Sequence, residues 1–233
     1  MQRTLPALSA FALLSVLAAI AVPAAAAPAL PEKPPIRASF LLPGDYHGDE
    51  APTHAGAGWL ALAPAGKRWE LFAADASSTR IVDEIIDGPG QRSGIRIASS
   101  RPDTLALLRF AYLKAGPVET AAIKITEDGI PIEPGKAIAI DFKGAAYRIE
   151  VVRKQAYLVK DGARTPLKDL TVNPEGEDGG RLSWAGDLDG DGELDLLVSY
   201  FTSNGGGACL YLSSQKAAGM LVKQVGCHGG VGC

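Results

Sequence analysis

Nine residues near the C-terminal end of the chain carry the densest chemistry. In Gly186-Asp187-Leu188-Asp189-Gly190-Asp191-Gly192-Glu193-Leu194-Asp195, counting Asp187 as position 1, aspartates stand at positions 1, 3, 5 and 9, with glycine at position 6. A hard divalent cation such as Ca²⁺ takes six to eight oxygens at about 2.3–2.6 Å, so several carboxylates must converge on one point. Alternating residues turned inward, with a glycine where the chain bends sharply, achieve that convergence in a short loop. The expected ligands are the side chains of Asp187, Asp189, Asp191 and Asp195 and the backbone carbonyl of Glu193, whose own carboxylate is expected to face solvent. Without a cation the arrangement is costly. Two carboxylates about 4 Å apart repel by roughly 4 kcal/mol at an effective dielectric near 20.

The flanking residues define the kind of loop. An EF-hand needs a bidentate Glu at position 12 and helices on both sides. Position 12 is Val198, within the β-type run Leu196-Leu197-Val198-Ser199-Tyr200, and Leu182-Ser183-Trp184 on the entering side is also extended. The expectation is a strand–loop–strand calcium site. The stretch Trp184–Tyr200, WAGDLDGDGELDLLVSY, resembles the FG-GAP/VCBS-type calcium motif of integrin α-chain propeller blades and many exported bacterial proteins, a loop of form DxDxDGxxD followed by an apolar strand. The resemblance spans about 17 residues in a single copy. It implies Ca²⁺ held by Asp187, Asp189, Asp191, the Glu193 carbonyl and Asp195, and names no substrate.

A second polar group lies at Asp45, His47, Asp49, Glu50 and His54. Two histidines with three carboxylates are the ingredients of a Zn²⁺ site or a general base. That is the alternative reading, a metal-dependent hydrolase using His47 and His54. No HExxH spacing and no GxSxG nucleophile elbow accompany it, and a polar loop between Pro43 and Pro52 accounts for the same residues. Trp59, Trp69 and Trp184 could line a carbohydrate surface, but Trp59 and Trp69 each adjoin an apolar strand and core packing is the preferred role. The reading overall is non-enzymatic.

The elements that must position these residues are short strands. Candidates are Ile36–Leu42, Trp59–Ala63, Arg68–Ala73, Arg80–Ile86, Ile95–Ala98, Leu105–Tyr112 and Thr120–Ile125. Ala137–Phe142, Ala146–Val152, Ala156–Val159, Leu182–Trp184 and Asp195–Phe201 follow. Lys143-Gly144, Lys154-Gln155 and Asp161-Gly162 punctuate Ala137–Leu170 as turns of a meander. The pattern predicts an all-β fold, an antiparallel meander or sandwich of many short strands, with the calcium site near the C-terminus. Ala208–Ser213 and Leu221–Val225 form a hairpin which, folded about Ala218, sets Cys209 opposite Cys227. A Cys209–Cys233 pair is the other option.

The chain opens with Arg3, an apolar run Leu5–Ile20 and a string of small residues, the order of a cleaved signal peptide. The expected organisation is a signal peptide over 1–26, a proline-rich linker over 27–35, and a β-rich domain over 36–233 that could subdivide near 127–131. Three cysteines clustered in the last 25 residues fit an oxidising compartment, so the expected location is periplasmic or secreted. The formal net charge is −3, from 23 Lys+Arg against 26 Asp+Glu, and losing Arg3 makes it −4. That balance excludes nucleic acid or an anionic membrane as principal partner. No stable membrane insertion is expected once the signal is cleaved, and a protein or glycan partner remains as the expectation.

Overall fold

The computed structural model describes residues 39–173 and 178–231; the expected signal peptide, the whole expected linker over 27–35, the start of the expected strand Ile36–Leu42 and Cys233 lie outside these residues. Seventeen strands and no helix occur among the described residues. In chain order they begin with β1 (Phe40–Leu41), β2 (Gly44–Tyr46), β3 (Trp59–Ala65), β4 (Arg68–Ala74), β5 (Ala76–Ile81) and β6 (Gly94–Ser99). Next come β7 (Ala106–Leu108), β8 (Gly116–Thr120), β9 (Ile130–Ile132), β10 (Ile138–Phe142), β11 (Ala145–Val152) and β12 (Gln155–Lys160). The last are β13 (Ala163–Thr171), β14 (Gly179–Asp187), β15 (Asp195–Thr202), β16 (Gly205–Leu212) and β17 (Lys223–Val231). The all-β antiparallel architecture expected from the sequence is present.

One large sheet runs in the order β1-β7-β3-β4-β8-β14-β15-β16-β17, with β9 added against β14. It curls until its two ends approach, giving a nearly closed barrel. The seam is bridged by a side chain: the Leu42 N–H donates to His228 Nδ1 at 3.0 Å. A four-stranded meander, β10-β11-β12-β13, and a three-stranded sheet, β2-β6-β5, complete the fold.

Three apolar cores follow from strand alternation. Along β15, Leu196 and Val198 point to one side, where they meet Ile140, Ile149 and Leu158 of the meander. Leu197 points to the other, among Leu62, Leu71, Leu108, Trp184 and Leu210 inside the curled sheet. A strand buried on both faces must be apolar throughout, which accounts for the unbroken Leu196-Leu197-Val198 run. Ile95 and Ile97 of β6 pack with Trp59, Ala61 and Leu107 in the third core. Each fully buried side chain of this size contributes about 1.5–3 kcal/mol.

The meander turns are built at Lys143-Gly144, Arg153-Lys154 and Asp161-Gly162, with positive φ at both residues of each pair. That is the type I′ geometry that matches strand twist. The middle turn therefore falls one residue earlier than the expected Lys154-Gln155. Other expected strands are also displaced. Thr120–Ile125 is replaced by β8, which ends at Thr120, and Leu105–Tyr112 shrinks to β7. Arg80–Ile86 stops at Ile81. Beyond it, Asp83 Oδ1 accepts the Ile85 N–H at 3.1 Å and Asp87 Oδ2 accepts those of Asp83 and Ser93 at 2.8 and 2.7 Å. These carboxylates take the backbone donors a ladder would have used, and Val82, Ile85 and Ile86 are left half-exposed or more. Near 127–131, where the sequence allows a subdivision, Ile130–Ile132 pairs with β14 as β9.

Cys209 and Cys227 are directly opposed across β16 and β17 and form a disulfide, with their Cα atoms 4.1 Å apart.

Candidate metal centre

The aspartate loop joins β14 to β15, and the register of those strands brings its ends together: Gly186 opposes Asp195. Asp187 folds the loop back on itself. Its Oδ1 accepts the Gly190 N–H at 2.8 Å and its Oδ2 accepts the Gly192 N–H at 2.9 Å. Both glycines adopt left-handed backbone, with φ of 81° and 87°, a conformation that costs other residues about 1 kcal/mol or more.

Asp195 is fully buried. Its Oδ2 accepts the Leu188 N–H at 2.7 Å, and its Oδ1 accepts the Ser213 N–H at 2.8 Å and the Ser213 hydroxyl at 2.9 Å. Burial outweighs these donors and pushes its carboxyl up to about 7. Burial also raises the Asp189 carboxyl. One Asp189 oxygen, Oδ2, accepts from the Ser214 hydroxyl, whereas Oδ1 is buried and has no hydrogen-bond partner.

Among the described residues, a single group of three or more His, Cys, Asp or Glu has ligand atoms within 4.8 Å of one another: Asp187, Asp189 and Asp195. The structure thus forms an aspartate triad that could hold a metal ion. Asp191 stands outside this group. It is exposed, accepts the Glu193 N–H on Oδ1 at 2.8 Å, and with its Oδ2 2.8 Å from the Ser213 hydroxyl shares that single proton with Asp195. The Glu193 carboxylate is ion-paired with Lys216.

Three residues at the centre have no local sequence signature. Ser213 and Ser214 reach the loop from beyond the end of β16. Lys143, at the β10–β11 turn, sits between Glu119 and Asp187, at 2.5 and 3.2 Å. Those carboxylates, Glu119 foremost, hold the Lys143 ammonium above its ordinary pKa. One lysine offsets part of the loop's charge and leaves the half-buried Asp189 and the buried Asp195 uncompensated.

The N-terminal polar group does not converge. Asp45 pairs with Arg96 through two contacts of 2.6 and 2.7 Å. Glu50 accepts the backbone N–H of His47 at 2.8 Å and that of Val231, tying the turn to β17. His47 Nδ1 is paired with the buried Asp83, which raises the imidazole pKa, and His54 is exposed. His47 lines a groove of about 650 Å³ with Asp45, Glu50 and Asp83, and His54 does not.

Compared with protein-family models, curated proteins and solved structures, the chain matches none of them.

Proposed function

We propose that this is an exported, non-enzymatic β-protein whose Asp187–Asp195 loop binds Ca²⁺ as a structural strut, the protein serving as a binding module at the cell surface or in the envelope. The carrying observation is the triad Asp187, Asp189 and Asp195 with one buried Asp189 oxygen left without a donor. A buried carboxylate oxygen with no partner is expensive, and a hard cation is the partner that an all-oxygen donor set selects. When bound, the ion would supply positive charge at the point where three carboxylates meet. The chain's own residues would do the rest: Gly190 and Gly192 bend the loop, Ser213 and Leu188 orient Asp195, and Asp191 offers a further oxygen nearby. The Cys209–Cys227 disulfide supports an oxidising, periplasmic or secreted location.

Thermal unfolding tests this reading. In EDTA and then across a Ca²⁺ titration, the midpoint should rise saturably, with Mg²⁺ much less effective. Extracellular calcium modules bind with dissociation constants of about 10⁻⁴–10⁻³ M. A hundredfold excess over such a constant adds about 2.7 kcal/mol, roughly 5–10 °C for a domain of this size. Asp189→Asn should abolish the rise and leave the midpoint in EDTA unchanged or higher. Absence of any shift up to ~10 mM Ca²⁺, well above the extracellular range, would sink the assignment.

A further inference from the structure

A cleft of about 610 Å³ opens at one end of the curled sheet, where the end of β3, the start of β4, the residues entering β7 and the end of β8 meet the middle of β14. Its size falls in the range of small-ligand sites, which favour the mouths of β-barrels. Two tryptophans line it. Trp69 is half-buried, so part of its indole is accessible, and Trp184 is 1% exposed.

The Trp184 Nε1–H is buried and donates to nothing in the protein. Buried indole N–H groups ordinarily find an acceptor, and this molecule supplies one elsewhere: the equally buried Trp59 donates its Nε1–H to the Ala55 carbonyl at 2.9 Å. Leaving such a donor unmet is costly. Three of the four hydroxyls lining the cleft, those other than Thr120, are in the opposite condition. Thr104 donates to the Arg101 carbonyl at 2.7 Å, Thr126 to the Gly129 carbonyl at 3.1 Å, and Ser183 to the Ser199 hydroxyl at 3.1 Å. With their protons committed, these oxygens have only lone pairs to offer. Asp103 at the rim is paired with Arg101 at 3.0 Å.

We propose that this cleft binds a neutral hexopyranose unit of a glycan. Such a ring has an apolar C–H face for Trp69 and hydroxyl protons for the committed Thr and Ser oxygens, and a small outward turn of the buried Trp184 indole would bring its N–H to a ring or hydroxyl oxygen. The proposal rests on the binding-module part of the proposed function and is independent of which ion the aspartate loop holds.

The test is a ¹⁵N-detected titration of the folded protein with maltohexaose, cellohexaose and chitohexaose, in Ca²⁺ and again in EDTA. The chain has three tryptophans and hence three indole N–H signals, assigned by Trp→Phe substitution. With at least one sugar, the Trp184 and Trp69 signals should shift saturably while that of Trp59 stays put. Trp69→Ala should weaken the affinity at least tenfold. Thr120→Arg, an exposed position that fills the cleft from its rim without disturbing a core, should do the same and covers the case in which Trp69→Ala fails to fold. No saturable shift with any of the three sugars, or a shift untouched by Thr120→Arg, overturns the proposal. A Ca²⁺-dependent rise in the thermal midpoint without sugar binding would remove the glycan cleft alone. Sugar binding without that rise would remove the calcium reading alone.

Discussion

At the scale of single residues, Asp195 sets the behaviour of the candidate metal centre. In the folded chain its carboxyl keeps a proton up to about pH 7, whereas in the unfolded chain it releases it near pH 4. Between those values the folded state binds more protons, so this residue's contribution to stability declines as pH rises from about 4 to 7. Cation binding requires the carboxylate, so affinity for Ca²⁺ should climb through the same window. Melting in EDTA from pH 4 to 7 should therefore show wild type losing ground to Asp195→Asn, by an amount on the order of 2–4 kcal/mol at the upper end. Parallel melting curves for the two proteins would refute the burial argument. The triad itself was readable because its members share nine residues of sequence, and spacing alone sends them to one point. Ser213, Ser214 and Lys143 were not readable. Each arrives through strand pairing or a turn in another sheet, and nothing near them in sequence announces a carboxylate.

At the scale of elements, β14 connects the two candidate sites, since its middle lines the cleft and its end begins the aspartate loop. Gly186 lies between them. A Cβ there would come within 2.2 Å of the Glu119 carbonyl and 2.7 Å of the Trp184 ring. The first is backbone of the paired β8 and cannot swing aside, so the strands must separate or the ring must move. Gly186→Ala should cost about 1–3 kcal/mol, read as a lower urea midpoint at unchanged slope, and should weaken Ca²⁺ binding as well. An unaltered midpoint would mean that β8 and β14 are looser than their packing indicates. The meander strands β10 to β12 and the unbroken apolar run of β15 lay where their residues put them. One failure falls where side chains capture the backbone. Val82, Ile85 and Ile86 have strand-forming composition, yet Asp83 and Asp87 satisfy the local N–H groups and turn the apolar residues outward. Composition reports what a residue prefers, and a neighbouring carboxylate decides which partner its backbone finds.

At the scale of the molecule, a sheet whose two ends meet through one imidazole has no counterpart in sequence pattern, because Leu42 and His228 are 186 positions apart. The contact needs His228 neutral, since Nδ1 must accept the Leu42 N–H. Burial holds its pKa down to about 4, while Glu50 nearby acts in the opposite direction. The Tyr46 ring, 4.5 Å away, covers it. The seam also fixes an order of events. Closing a loop of that length is entropically costly, whereas the type I′ hairpins of the meander join neighbours in sequence. The meander should therefore form early and the seam last. His228→Ala, which leaves the Leu42 N–H without an acceptor, should accelerate unfolding about tenfold while refolding hardly changes; a slowed refolding limb with normal unfolding would place the seam in the nucleus instead. Until the imidazole docks, β1 and β17 are two bare edges, each able to add a strand from another copy of the chain. Soluble yield during production is thus governed by how long that gap stays open, and slow closure would show itself as concentration-dependent aggregation rather than as a loss of native stability.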